Sequence, residues 1–290
     1  MVGCAGVQNY VAQRKDSRAE KSNFSPSLCK CYLLSSQFYR LYLLSTGSCF
    51  HLVGNLRFDS LKRMNSIIVI PTFNERDNIR PLVEEIFKVS PDIHILIVDD
   101  NSPDGTGKIA DALSKEYARI RVLHRGKKEG LGRAYIAGLK EALKMNPDYL
   151  IQMDADFSHQ PAYIPLLLQE IKDCDIVSGS RFLSGRRPSN VSRLSVLANY
   201  YVKWLTRLKV SDTLGGFKCF RRNVIEKIGL GRFISHGFIF QAEFLYRAQK
   251  KGFSIHEIPI LFTPRKSGLS KKSKNVIMEA FFKTILLRIH

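Results

Sequence analysis

Short apolar runs alternate with longer amphipathic stretches through most of this 290-residue chain. Each run is rich in Ile and Val, spans about four to eight residues and ends in turn residues, a pattern typical of buried strands. The stretches between the runs carry the spacing of helices. The predicted strands are residues 66–71, 93–98, 120–123, a run beginning at Tyr149, and residues 174–181. The predicted helices are residues 77–89, a stretch ending near Tyr117, residues 133–144, and one starting at Pro161.

This alternation predicts an α/β fold with a mainly parallel sheet and helices on both faces. Acidic residues follow three of the predicted strands: Glu75 the first, Asp99 and Asp100 the second, and Asp154 and Asp156 the fourth. In such sheets ligands bind at the carboxyl ends of the strands. Carboxylates gathered at one edge repel each other unless a base, a ribose or a metal shares them. The sequence therefore predicts a ligand site at this edge.

The strongest candidate within that edge is the pair Asp154 and Asp156, one residue apart. Neither carboxylate could stay ionised in a core without a partner. A hard cation that carries substrate phosphates would use both. A lone Asp-x-Asp is more often a solvated turn, but the acids after the other strands favour the functional interpretation. His159, which follows the pair, is predicted to support the turn rather than to act in catalysis.

Composition narrows the class of protein. With 44% hydrophobic and 24% charged residues the chain is globular, and its net charge of +19 favours anionic partners. These are nucleic acids, nucleotide phosphates or an anionic membrane surface. The basic residues are spread out, without a zinc-finger spacing or an aromatic-rich RNA-binding signature, so nucleic acid is the weakest of the three. Six cysteines are few for this length and none has a C-x-x-C spacing, which argues against a disulfide scaffold, and Cys174 and Cys219 are predicted core thiols.

Residues 1–63 differ from the rest, and residues 1–23 carry no regular periodicity. Residues 31–53 are apolar-leaning, but Arg40 and several polar residues interrupt them, which disfavours a membrane span. A targeting extension, a poorly ordered basic arm, and upstream sequence before a true start at Met64 all remain open, and the last is favoured because a strand follows Met64 directly. The expected organisation is an N-terminal extension, 1–63, and a catalytic domain, 64–290.

Several ordered motifs resemble the inverting family-two glycosyltransferases of GT-A fold. The first three are residues 70–75 (IPTFNE), 98–106 (VDDNSPDGT) and 153–159 (MDADFSH). Four more narrow the resemblance to dolichol-phosphate, or polyprenol-phosphate, mannosyltransferases: residues 130–135 (GLGRAY), 175–181 (DIVSGSR), 212–218 (DTLGGFK) and 237–243 (GFIFQAE). The resemblance runs from Asn65 to the C-terminus and excludes residues 1–63.

The resemblance implies transfer of mannose from GDP-mannose to a dolichyl or polyprenyl phosphate, with inversion at the anomeric carbon. It also implies a set of site residues. Asp154 and Asp156 would hold Mg²⁺ or Mn²⁺, with Asp156 and Arg181 central to catalysis. The full donor-binding set by matched position is Pro71, Phe73 and Glu75 beside the guanine nucleotide, Val98 and Asp100 beside base and ribose, Asp154, Ala155 and Asp156 at the metal and nucleotide, and Arg181, Arg265 and Lys271 at the phosphates.

Two segments bear on a lipid acceptor. Residues 194–209 and the C-terminal residues 275–290 have helical spacing with aromatic and basic residues. Either suits a membrane interface, and either could cap the sheet as a core helix; for the second segment, an amphipathic helix, the interface is favoured. We therefore expect a peripheral protein on the cytoplasmic face of a membrane, the endoplasmic reticulum in a eukaryote or the plasma membrane in a prokaryote. A separate membrane-anchoring subunit is a further expected partner.

Two other functions stay open. The chain could be another family-two polyprenol-phosphate glycosyltransferase, for example with UDP-glucose as donor. It could also be an inactive homologue that binds nucleotide or lipid. A nucleic-acid-binding protein, suggested by charge alone, is a distant third.

Overall fold

The computed structural model describes residues 65–183, 191–261 and 274–289, and all of these fall within one compact unit. The predicted N-terminal extension, 1–63, lies outside them. The strands are β1 Ser66–Thr72, β2 His94–Asp99, β3 Ile120–His124, β4 Tyr149–Gln152, β5 Ile176–Ser180, β6 Lys218–Arg221 and β7 Ile255–Pro259. The α-helices in the described ranges are α1 Arg76–Val89, α2 Thr106–Glu116, α3 Leu131–Leu143, α4 Ile164–Glu170, α5 Arg193–Thr206, α6 Arg222–Ile228, α7 Phe240–Lys250 and α8 Lys274–Ile289.

The seven strands form one sheet in the order β3-β2-β1-β4-β6-β5-β7. Strands β1 to β5 and β7 all run in one direction, and β6 alone among them is antiparallel, to both β4 and β5. The carboxyl ends of β1, β2, β4 and β5 therefore lie at one edge of the sheet. Because β6 runs the other way, its first residue, Lys218, lies at that same edge.

Helices cover the sheet in two groups. Helix α1 contacts both α2 and α4, while α3 and α6 both contact α7. Helix α3 approaches β1 and β2 closely at Gly138, where an added methyl group would lie 2.4 Å from Val69 Cγ1. The buried cluster beneath α3 and α7 joins sheet residues such as Val69 and Phe220 to Leu139 and Phe244. The predicted α/β fold with a mainly parallel sheet is confirmed.

The structure corrects details of the predicted elements. Helix α1 begins at Arg76, one residue before its predicted start at Asp77, which lies in the first turn. Pro161 begins a 3₁₀ turn, Pro161–Tyr163, that leads into α4. Strand β6 was not predicted because it has only four residues, and it begins with a lysine that is fully buried. A short segment that begins with a charged residue lacks the apolar run by which a central strand is recognised.

Helices α5 and α8 pack against each other, and Tyr201 of α5 stacks on Phe281 of α8 with ring centroids 5.0 Å apart. The predicted C-terminal helix is thus present. On its described side chains, Thr284 and Leu287 are buried, whereas Phe281, Phe282 and Leu286 are exposed. Its outward face is therefore partly apolar. No helix in the described ranges is long and apolar enough to span a membrane.

Candidate active site

Three loops at the carboxyl edge contain a residue with a left-handed backbone: Asn74 after β1, Asn101 after β2 and Phe157 after β4, with φ of 57°, 57° and 61°. Asparagine tolerates this conformation, whereas a bulky aromatic residue seldom adopts it. Strain of this kind costs about 1–3 kcal/mol and persists where the surroundings enforce it. The loop that carries the acidic pair is therefore held in one backbone conformation.

The acidic pair lies directly after β4. The Tyr135 hydroxyl donates a hydrogen bond of 2.7 Å to Asp154 Oδ1, and the Asp154 backbone N–H donates to His159 Nδ1 at 3.0 Å. Asp156 is 4% exposed and its Oδ1 accepts from the Ser158 backbone N–H at 3.0 Å. Both carboxylates are thus oriented by their neighbours before any ligand binds.

Tyr135 and His159, which both form hydrogen bonds with Asp154, are both uncharged: Tyr135 as a phenol and His159 as a neutral imidazole. Burial raises the pKa of Tyr135 well above its usual value, and the Asp154 charge adds to this, so the phenol remains a donor. Burial lowers the pKa of His159 and outweighs the opposing charges of Asp154 and Asp156. Because Nδ1 accepts a hydrogen bond, the proton of the neutral ring lies on Nε2, 3.9 Å from Asp154 Oδ2. The His159 ring also stacks on Phe217.

Arg181 follows β5 and is bound by a carboxylate that the sequence analysis did not single out. Asp212, fully buried, accepts from Arg181 Nε at 2.7 Å and from Nη2 at 2.8 Å. Burial alone would raise the pKa of Asp212, but the hydrogen bonds and charge of Arg181 outweigh it and lower that pKa. Glu257 of β7 in turn accepts from the backbone N–H groups of Ser211 and Asp212. Asp212 therefore holds the Arg181 guanidinium at the carboxyl edge of the sheet, and Glu257 in turn fixes the backbone of Asp212.

The predicted nucleotide-binding residues meet at the ends of β1 and β2. Pro71 pairs with Val98 in the parallel register, and both are buried. Phe73 lies just beyond β1, with Lys128 Nζ 4.0 Å from its ring centroid. Glu75 precedes α1 and accepts a 2.8 Å hydrogen bond from Asn78 Nδ2. These residues lie at the carboxyl ends of β1 and β2, next to the acidic loop after β2.

The two acids after β2 differ in their contacts. Asp99 accepts from Thr72 Oγ1 and from the backbone and hydroxyl of Ser102, so it organises the loop. Asp100 accepts from Arg125 Nη1 at 2.6 Å. Burial raises the pKa of Asp100, although Arg125 opposes this. Both carboxylates therefore have partners within the protein, Thr72 and Ser102 for Asp99 and Arg125 for Asp100.

The residues around Asp154 and Asp156 suit a metal that arrives with phosphates. Within residues 65–183, 191–261 and 274–289, no group of three His, Cys, Asp or Glu side chains is arranged to hold a metal ion. Magnesium commonly uses one or two carboxylates together with substrate phosphates and water, rather than an all-protein cage. Two oriented carboxylates at an open edge fit that mode of binding.

Ala155, between the two acids, is 3% exposed. Arg265 and Lys271 lie outside the described residues, so their predicted phosphate contacts remain predictions. The sequence analysis assigned no role to Tyr135, Asp212, Lys218 or Gln241, although all four lie in segments that carried the resemblance. For Lys218 and Gln241, the sequence offered one signal: each is a polar residue within an otherwise apolar segment.

The glycine-rich turn at residues 126–132 makes close backbone contacts that lead into α3. The Gly132 backbone N–H donates to His236 O at 2.7 Å. A side chain at Gly130, whose φ is 106°, would meet the same oxygen at 2.6 Å. Glycine is required here because α3 begins in close contact with the segment before α7.

Comparison with known proteins identifies the class of protein. Residues 67–229 match the family model described as glycosyl transferase family 2. Polyprenol monophosphomannose synthase of Mycolicibacterium smegmatis is 41% identical over 224 residues, covering 75% of this chain and 84% of that protein. Undecaprenyl-phosphate mannosyltransferase of Micrococcus luteus is 36% identical over 221 residues, covering 75% and 91%.

Solved structures share the fold at low sequence identity. Glucosyl-3-phosphoglycerate synthase from Mycobacterium tuberculosis, in complex with Mn²⁺, UDP and phosphoglyceric acid, has a TM-score of 0.59 at 15% identity and covers 78% of each chain. The same enzyme with Mg²⁺ and UDP has a TM-score of 0.52 at 18% identity, covering 71% of this chain and 73% of that one. The predicted GT-A architecture is confirmed.

The fold and the family match together define a glycosyltransferase. The chain belongs to glycosyl transferase family 2. Within that family it is similar to the polyprenol-phosphate mannosyltransferases, as the motifs of the sequence implied.

Proposed function

We propose that this protein transfers mannose from GDP-mannose to a dolichyl or polyprenyl phosphate, with inversion at the anomeric carbon and with Mg²⁺ or Mn²⁺. The observation that carries the proposal is the convergence at one sheet edge of the oriented carboxylates Asp154 and Asp156 with the partly buried guanidinium of Arg181. The names of the two curated relatives support mannose and a polyprenyl phosphate. Guanine as the base rests on the resemblance of the motifs.

The chemistry suits these side chains. Displacement at the anomeric carbon expels GDP, so negative charge grows on the leaving diphosphate. A divalent cation held by Asp154 and Asp156 would stabilise that charge. Arg181 supplies a fixed positive charge nearby, and Arg265 and Lys271 are proposed to add theirs. Attack by the acceptor phosphate on the face opposite the leaving group gives inversion.

The attacking phosphate is already an anion, so a strong general base is unnecessary. The buried acids and the histidine near the edge are engaged in structural contacts. His159 accepts from the Asp154 backbone, and Glu243 accepts from the backbone N–H groups of Ile234 and Ser235. These contacts support a mechanism in which positioning and charge stabilisation supply the rate.

At the nucleotide end, we propose that Pro71, Phe73 and Glu75 border the guanine base. Val98 and Asp100 are proposed to lie beside base and ribose, and the Ala155 backbone to contact the nucleotide. Phe73 offers a ring for stacking, and its contact with Lys128 adds a cation at the same place.

The donor proposal predicts a clear preference. Incubation with radiolabelled GDP-mannose and a polyprenyl phosphate should place label in the lipid fraction, and UDP-glucose under the same conditions should give at least about tenfold less product. Excess EDTA should abolish incorporation because the leaving diphosphate loses its counter-ion, and added Mg²⁺ or Mn²⁺ should restore it.

Preferential use of UDP-glucose would replace the proposed donor with the alternative one. Absence of transfer from either donor, by folded protein that still binds nucleotide, would favour the inactive homologue. Full activity in EDTA would contradict the proposed metal dependence but would leave GDP-mannose as the proposed donor.

We further propose that the exposed apolar surface of α5 and α8 lies in the membrane interface. It consists of Leu194, Leu197, Tyr200 and Trp204 on α5 and Phe281, Phe282 and Leu286 on α8, with Trp204 75% exposed. Exposed basic residues flank it: Arg193 on α5, Arg207 directly after α5, and Arg288 on α8. Apolar side chains beside cations suit the boundary between acyl chains and anionic headgroups. A lipid-linked acceptor supplies the reason for such a surface, on the cytoplasmic face of the membrane.

Trp204 is the only tryptophan in the chain, so its fluorescence reports on this surface alone. Vesicles of phosphatidylcholine with phosphatidylglycerol should shift its emission to shorter wavelength and sediment with the protein. Leu197→Glu should weaken sedimentation by about tenfold, since a charge would enter the apolar boundary. Val89→Glu, which changes an exposed apolar residue at the end of α1, should not.

An unchanged Trp204 spectrum with vesicles would contradict direct membrane contact. The surface would then serve the separate membrane-anchoring subunit that is the other expected partner.

A further inference from the structure

A buried carboxamide beside the candidate metal site has an unsatisfied donor. Gln241 lies in the first turn of α7 and is 1% exposed. Its Oε1 accepts a 2.8 Å hydrogen bond from Lys218 Nζ, while its Nε2 has no hydrogen-bond partner among the described residues. A buried N–H group without an acceptor is costly. Such a group is expected to meet an acceptor when a ligand binds.

Lys218 determines which way the carboxamide points. It is fully buried at the start of β6, and its Nζ donates to Gly215 O and to Gln241 Oε1, the latter at 2.8 Å. Burial lowers the pKa of Lys218, while the charges of Asp212 and Asp154 oppose that effect and favour the ammonium form. An ammonium group has donors only, so the carboxamide oxygen faces it. The NH₂ group of Gln241 is therefore directed away from Lys218.

The NH₂ group faces a small space next to Gly216. A methyl group added at Gly216 would lie 3.5 Å from Gln241 Nε2, 3.4 Å from Asp154 Oδ2 and 3.0 Å from His159 Cε1. The absence of a side chain at Gly216 thus leaves room where the donor of Gln241 and the second oxygen of Asp154 meet. Any group held by the metal at Asp154 would come within reach of this corner.

We propose that the Gln241 NH₂ group binds an acceptor oxygen of the sugar diphosphate, either a hydroxyl of the transferred hexose or an oxygen of the diphosphate. This inference rests on the proposed function, because it takes a nucleotide-sugar as the ligand at Asp154. Lys218 is then a positioning residue: it does not touch the ligand, and it orients the residue that does.

The test measures dissociation constants of GDP and GDP-mannose in Mg²⁺ by calorimetry, on the full chain. Gln241→Glu keeps an oxygen for Lys218 and replaces the donor with an acceptor, and Gln241→Met removes both polar ends. Each should weaken GDP-mannose binding by about tenfold or more, as expected for loss of one buried hydrogen bond to a ligand. Gln249→Met, the same substitution later in α7, where Gln249 contacts the backbone of Arg207 and Lys209, should leave both constants unchanged.

The two nucleotides separate the two sources of the oxygen. Weaker binding of GDP-mannose with unchanged GDP binding assigns the contact to the hexose, and an equal loss for both assigns it to the diphosphate. Unchanged constants for folded Gln241→Glu and Gln241→Met overturn the inference, and Gln241 then has a structural role with ordered water. If the wild-type protein prefers another nucleotide-sugar, the donor proposal fails, and the same variants test Gln241 with the accepted donor and its nucleoside diphosphate.

Discussion

Replacing Asp156 by alanine should lower the rate of mannose transfer by about a thousandfold, with the protein still folded. The carboxylate is buried at the carboxyl edge of the sheet and is one of two placed to hold the cation at the leaving diphosphate. The other, Asp154, already accepts from Tyr135 through one oxygen. Loss of Asp156 should therefore leave too few ligands to hold the metal at this site. The assay is transfer of label from GDP-mannose to polyprenyl phosphate across a series of Mg²⁺ concentrations.

The fold should survive because the Asp156 carboxylate accepts its hydrogen bond from the backbone N–H of Ser158, two residues away in the same loop. Circular dichroism and the thermal midpoint establish that. Asp173→Ala, which removes an exposed carboxylate after α4, is the matched control and should retain full activity. Near-normal turnover by folded Asp156→Ala would rule out the assignment of Asp156 to the metal. Activity restored by high Mg²⁺ would instead indicate weakened binding and would support it.

Most of the sheet could be predicted because most of its strands are recognisable from their own residues. Residues 66–72 and 94–99 are fully or nearly fully buried, and a strand buried on both faces is a continuous apolar run in the sequence. The acids that follow these strands could be assigned to one edge, because parallel strands end together. Strand β6 was not predicted for two reasons. Its position between β4 and β5 depends on pairing with distant segments, and its four residues begin with a lysine.

The site could be predicted only in part, for a related reason. Asp154 and Asp156 lie on a loop whose place follows from local pattern. Long-range contacts complete the site: Tyr135 on α3 donates to Asp154, and Asp212 accepts from Arg181 across 31 positions of sequence. A hydrogen bond between distant segments leaves no periodic signal. Motif resemblance marked these segments without assigning the contacts.

The Arg181–Asp212 pair combines a structural and a chemical function. Two side-chain hydrogen bonds and one from the Arg181 backbone reach a carboxylate with no exposed surface. Breaking a buried ion pair on one side leaves an uncompensated charge, which costs about 3–5 kcal/mol, whereas replacing both members by apolar residues is often neutral. This asymmetry can separate the contribution of Arg181 to folding from its contribution to transfer.

We expect Asp212→Ala to lower the free energy of unfolding by about 3–5 kcal/mol, measured by urea denaturation. That loss is a large part of the stability of an ordinary domain. The double variant Arg181→Leu with Asp212→Leu should recover most of it, because neither charge remains buried. Asp92→Ala, which breaks the exposed ion pair with Arg119, should change stability little.

The two variants should rank in the opposite order for transfer activity, with Asp212→Ala more active than the double variant. Folded Asp212→Ala, assayed at low temperature, should keep measurable transfer because the Arg181 cation remains, although less well oriented. The double variant should be stable and slower still, by about a hundredfold or more relative to wild type, because the leaving diphosphate has lost a fixed cation. Wild-type turnover by the double variant would restrict Arg181 to folding and would transfer the role of diphosphate cation to the other basic residues proposed for it, Arg265 and Lys271.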